Sequence, residues 1–202
     1  MSRYLFSGIL FAFAAGIQPG PLQTYYINHA LLYGWRKTLP SVLAPVFSDI
    51  PIIALVLFAL HTTSKLFLQI LQCGGGVFLF FLAFGAWKNW LKLKKAGSLP
   101  LPSQSKTLIK AISVNLLNPN PYLGWSLVMG PLFLAGWKEN PVNGIALLGG
   151  FYSTLILCSG GIVFLFASAR NFGPRIIRAA AGISIFALAG FGIYQIWSGL
   201  AR

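Results

Sequence analysis

One acid and two proline-dense stretches carry most of the chemistry this sequence offers. Asp49 stands in "APVFSDIPIIALVLF", with apolar residues on both sides. A carboxylate in such surroundings must be paired, hydrogen-bonded or neutralised. No Lys or Arg lies at comparable depth in any apolar stretch. Its charged partner is therefore expected to be a substrate ammonium, a proton or a hydrated cation. The competing expectation is a neutral Asp49 bonded to a neighbour such as Ser48 or Tyr26. The proline stretches are "QPGP" (Gln18, Pro19, Gly20, Pro21) and "NPNP" (Asn118, Pro119, Asn120, Pro121). Each proline removes a backbone N–H and clashes one turn back, and it pushes the preceding residue out of the helical region. Each stretch predicts two half-helices joined by a few non-helical residues. Pro21 suits the first position of its half-helix, where a missing donor is no loss. A second half-helix is expected to begin at Pro121, with Asn118 and Asn120 as extra hydrogen-bonding groups. The N-terminus of each half-helix offers N–H groups and partial positive charge, which suits a carboxylate.

Other chemistries are excluded by what the sequence lacks. It has no Ser/His/Asp grouping, no HExxH, no Walker loop and only two acids, Asp49 and Glu139. No catalytic site, no enzyme and no cofactor are expected. Cys73 and Cys158 belong to no CxxC or metal-ligand spacing and read as packing residues. No metal site is expected.

Composition says what must position these groups. Of the 202 residues, 56% are hydrophobic and 8% charged, where soluble domains carry about a quarter charged. The bilayer is the expected solvent. The net charge of +13 raises the question of nucleic acid, but the basic residues lie between apolar blocks, so no nucleic-acid partner is expected. Six blocks of roughly spanning length are readable, at about 4–32, 39–61, 66–87, 108–135, 142–168 and 176–198. The first, third and fifth connections hold 11 of the 15 Lys and Arg, which predicts that they are cytoplasmic and that both termini lie outside. The longest connection divides the chain into a first repeat (1–91), a basic cytoplasmic loop (92–107) and a second repeat (108–202). Pro19 and Pro119 are 100 residues apart, and three spans per half would invert one copy against the other. Paired interruptions at corresponding positions point to a transporter's binding site.

Smaller features read structurally. Gly8, Ala12 and Gly16 form a small-residue ridge, and the runs at 73–78, 149–153 and 158–163 permit close helix contact and a homodimer. His29 and His61 read as structural or interfacial. Trp35, Trp87, Trp90 and Trp137 read as interfacial belts. The lysines over 88–110 read as a cytoplasmic anchor, with lipid binding as a secondary role.

Four pieces in order resemble the LysE/RhtB family of bacterial amino-acid exporters. They are "QPGP", Asp49 after a small-residue stretch, "GGGVFLFFLAFGAWKNW", and "SVNLLNPNPYLGW". The resemblance implies an all-α inner-membrane protein of six helices in an inverted three-plus-three repeat. It also implies proton-driven export of amino acids or related small solutes. Substrate binding falls on Gln18, Pro19, Gly20, Pro21, Asp49, Asn115, Asn118, Pro119, Asn120 and Pro121, and proton coupling on Asp49. Two departures bear on substrate. Asn120 stands where the family has a lysine, and the second span opens "LPSVLAPVF" rather than glycine-rich. Loss of a basic contact favours a cationic or neutral substrate. Alternatives are export of another small ion or metal cation, or a non-transporting membrane scaffold.

Overall fold

Local chemistry sets where the helices start and stop. In the computed structural model, helix α1 (Ser2–Ile17) ends at Gln18, whose φ of −63° and ψ of 124° are extended. Helix α2 (Pro21–Tyr33) then starts with proline at its first position. Gly34, with φ of 81°, closes α2, a conformation glycine adopts without the steric cost other residues meet. The short α3 (Trp35–Thr38) and a 3-10 turn at Leu39–Leu43 lead into α4 (Ala44–Phe58), which carries Pro51 in its interior. Then follow α5 (Lys65–Ala96), α6 (Gln104–Leu116), α7 (Pro119–Gly124), a π-helical turn (Trp125–Met129), α8 (Gly130–Glu139), α9 (Pro141–Ser168) and α10 (Pro174–Leu200). The structure describes residues 1–18, 20–58, 65–96, 104–169 and 174–201. Pro19, His61, Arg170 and Arg202 lie outside these, as do the side chains of Lys65, Lys92, Lys94, Lys95, Arg175 and Arg178.

All described elements are helical. Among the described residues, three helices are long and apolar enough to cross a membrane: Trp35–Leu57, Pro141–Ser168 and Ala181–Leu200. The pair α1–α2, bent by 61°, passes the same test when its two helices are taken together as one span. Helix α5 has a shorter apolar stretch, Cys73–Lys88. It continues to Ala96, and α6 begins at Gln104, so helix reaches into the segment expected as the 92–107 loop. Large apolar side chains such as Phe13, Phe81, Leu157, Phe164, Phe186 and Trp197 are exposed. Such extensive apolar exposure is foreign to a water-soluble monomer and natural to a multi-pass membrane protein.

Small residues let the helices approach. Gly8, Ala12 and Gly16 are all buried on one side of α1, which packs along α9. A Cβ on Gly8 would sit 2.3 Å from the Leu147 carbonyl oxygen, and one on Gly16 would sit 2.8 Å from the Cys158 Cβ. Cys158 is thus a packing residue in this seam. Helices α5 and α10 form the second long pair, in close approach at Gly76 and Gly192.

Cross-contacts fix direction. At one end, the Tyr4 hydroxyl of α1 donates to Glu139 Oε1 at the end of α8, at 2.8 Å. At the other, the Tyr25 hydroxyl of α2 donates to the Thr107 carbonyl near the start of α6, at 3.1 Å. The α1–α2 and α6–α8 segments therefore run antiparallel. One apolar core, around Trp125, Leu147 and Phe151, lies toward the Glu139 end. Another, around Tyr25, Tyr26, Leu79 and Leu188, lies toward the Thr107 end.

Candidate binding site between two interrupted helices

The first interruption leaves its second half-helix uncapped. Gln18 N–H still bonds the Ala14 carbonyl at 3.2 Å, and the Gln23 side chain reaches back to the Ala15 carbonyl at 3.2 Å. These bonds satisfy carbonyls that the end of α1 releases. The start of α2 is different. Gly20 precedes it in extended conformation (φ −159°, ψ 178°), and no side chain caps it. Leu22 and Gln23 then present the first-turn amides that Pro21 lacks.

The second interruption closes on itself. Helix α7 begins at Pro119, two residues before the expected Pro121, because Asn118 acts as its N-cap: the Asn118 side chain accepts from Asn120 N–H at 3.2 Å. With proline at the first and third positions and Asn120 already bonded, no first-turn amide faces outward. Asn118 N–H bonds the Asn115 carbonyl at 3.2 Å, and the Tyr122 hydroxyl donates to the Leu116 carbonyl at 2.9 Å. The expected carboxylate-binding amides are thus absent here; the side chains of Asn118 and Asn120 remain.

Asp49 lies between the two interruptions, 3% exposed. It accepts three side-chain hydrogen bonds. Asn115 Nδ2 donates to Oδ1 at 3.0 Å, while Trp125 Nε1 and the Tyr152 hydroxyl donate to Oδ2 at 3.3 and 3.1 Å. Asn115 also donates to Ser48 Oγ at 2.7 Å. Amide and indole N–H groups only donate, whereas the tyrosine hydroxyl can reverse its role. The neighbours named from sequence are not these. Tyr26 donates to the Ser41 carbonyl and Ser48 to the Ala44 carbonyl, each claimed by backbone within reach.

Asp49, Asn115 and Trp125 line a cavity of about 150 Å³, a volume that accommodates a molecule about the size of benzene. Of the residues expected from sequence, Gln18, Gly20, Asp49, Asn115, Asn118, Asn120 and Pro121 line it. Pro21 and Pro119 do not line it; they begin the adjoining helices. Pro19 lies outside the described residues. The remaining wall is Gln23 and Ser159 with aromatic and apolar groups, chiefly Phe11, Trp125 and Phe151. No lysine or arginine lines it among the described residues.

Sequence reasoning missed Trp125 and Tyr152. Trp125 follows the NPNP stretch by four residues but is turned inward by the π-helical turn, an irregularity often found at functional sites. Tyr152 sits on α9 beside Gly149 and Gly150 with no pattern to mark it. His29 proves structural and buried. Because Thr38 donates its hydroxyl to the Gly34 carbonyl at 2.8 Å, His29 Nδ1–H donates to Thr38 Oγ1 at 2.9 Å. Nε2 lies 3.2 Å from Thr107 Oγ1, so His29 clasps α2, α3 and α6 together.

The chain matches the LysE type translocator family over residues 13–197. Comparison with curated proteins and with solved structures gave no match. The matched span takes in both interruptions, Asp49 and every described wall of the cavity except part of α1. The chain belongs to the LysE type translocator family, whose members are membrane transporters of small solutes such as amino acids.

Proposed function

We propose that this protein is a secondary exporter of amino acids or related small solutes in a bacterial inner membrane, driven by the proton gradient. The observation that carries the reading is a cavity between two interrupted helices with a single carboxylate in its wall. A solute's ammonium would approach Asp49, displacing or joining Asn115, Trp125 and Tyr152. Its carboxylate would meet the uncapped start of α2, with the amides of Gln18, Gln23, Asn118 and Asn120 nearby. Asp49 would carry the proton, since intramembrane carboxyls serve as relays. Tyr152 is the neighbour able to accept when that proton is present.

Six spans arranged as an inverted three-plus-three repeat fit this reading. The α1–α2 and α6–α8 segments run antiparallel. The packing of α1 on α9 has a counterpart in that of α4 on α6, which is the exchange an inverted repeat requires. The basic ends would be cytoplasmic and both termini outside, by the positive-inside rule. Reconstitution into liposomes tests the proposal. Labelled amino acids should exchange across the bilayer in a counterflow assay, and an imposed proton gradient should drive net movement. Absence of exchange for all amino acids, with cysteines at Gly20 and Asn118 unreactive to aqueous reagents, would favour a scaffold instead.

A further inference from the structure

A second cavity, of about 140 Å³, lies toward the Thr107 end and shares no lining residue with the first. One wall is a ladder on α2. The rings of Tyr25 and His29 are 5.7 Å apart and those of His29 and Tyr33 4.6 Å apart. The ladder is pinned to α6 through Tyr25 and His29, which both bond Thr107. The next wall is α6 itself, which brings Lys106 and Lys110 to the cavity on one helix face, four residues apart. The far side is apolar, with Phe81, Leu82 and Leu188.

The charge there has no internal counterpart. The chain has two acidic side chains in all. Asp49 is held in the first cavity, and Glu139 is bonded to Tyr4 and Asn143 at the opposite end. The polar groups of the walls are largely committed: Asn28 donates to Ser184 at 2.8 Å, and both nitrogens of His29 are in use. Lys106 and Lys110, both exposed residues, line the cavity and bring its two ammonium groups. An anion beside an apolar group matches this combination of paired cations, aromatic ladder and hydrocarbon floor.

We propose that this cavity is a separate binding site for carboxylate-bearing solutes, held by Lys106 and Lys110 with the solute's apolar part against Phe81, Leu82 and Leu188. Its chemistry is opposite to that of the first cavity, where the one charge is a carboxylate. A solute bearing both charges would be gripped by its carboxylate alone here, and in the first cavity by its ammonium at Asp49 with its carboxylate at the start of α2.

The test uses 4-methylpentanoate, a carboxylate with an apolar tail and no amine. Its binding to the purified protein in neutral phosphatidylcholine nanodiscs is followed by saturation-transfer NMR or calorimetry. Binding is read at equilibrium without a gradient, so it stands or fails separately from the export reading. Saturable binding that weakens with salt is expected. Affinity should fall about tenfold or more in Lys106→Gln/Lys110→Gln and recover in Lys106→Arg/Lys110→Arg. A side chain at Gly85, which lines the cavity and where a Cβ meets nothing within 4 Å, should block binding as Gly85→Leu with both lysines intact. No binding to the wild type, or equal affinity in the glutamine variant, would overturn the proposal. Complete displacement by phosphatidylglycerol added to the nanodiscs would also overturn it, by assigning the lysines to a lipid headgroup.

Discussion

The two interrupted helices use proline in opposite ways. At the first, Pro21 begins α2 after an extended Gly20, and no side chain caps the amides that follow. At the second, Asn118 caps Asn120, Tyr122 holds the Leu116 carbonyl, and two prolines delete the other first-turn donors. A pair that looks equivalent in sequence is thus one open half and one closed half. A broken helix can hold a ligand through its backbone only where that backbone is left unsatisfied. The open half is suited to grip a solute, and the closed half to give the cavity a fixed wall.

Substitutions at the two interruptions should separate these roles. The largest effect on stability is expected at Gly75, where a Cβ would lie 2.2 Å from the Leu117 carbonyl oxygen in the closed interruption. Gly75→Ala should destabilise by roughly 1–3 kcal/mol or more, as overpacking does, read as a lowered melting temperature in detergent. Next, Tyr122→Phe leaves the Leu116 carbonyl without its donor, at a cost of about 1–3 kcal/mol. Asn118→Ala removes the cap and should cost about 1 kcal/mol. The open interruption should respond the other way. In Gly20→Ala the new Cβ meets only Gln23 Oε1 at 3.2 Å and the Gln18 carbonyl oxygen at 3.9 Å, and the extended backbone accepts any residue. Its melting temperature should barely move while its transport KM rises. If Gly20→Ala destabilised as much as Gly75→Ala, the open-versus-closed distinction would fail.

Much of this was legible in the sequence because proline acts locally. The start of α2 at Pro21 follows from one residue's missing donor, as does the end of α1 near Gln18. The ridge of Gly8, Ala12 and Gly16 was legible from its helical spacing. The start of α7 was not, because it depends on whether Asn118 bonds forward to Asn120, a choice between two adjacent prolines that spacing does not rank. The partners of Asp49 were also out of reach. Asn115, Trp125 and Tyr152 lie 66, 76 and 103 residues away along the chain. Only helix packing and the π-helical turn bring them together. Sequence showed that a buried carboxyl needs partners, but nearby Ser48 and Tyr26 find closer backbone acceptors.

The most direct test of the account is Asp49→Asn in liposomes, with solute flux and proton flux measured together. The amide keeps the size of the side chain and one acceptor oxygen, so folding, checked by melting temperature and monodispersity, should persist. A proton gradient should no longer drive net solute movement in this variant, while the wild type should move solute and protons in opposite directions. Proton-driven export at the wild-type rate in Asp49→Asn would contradict it.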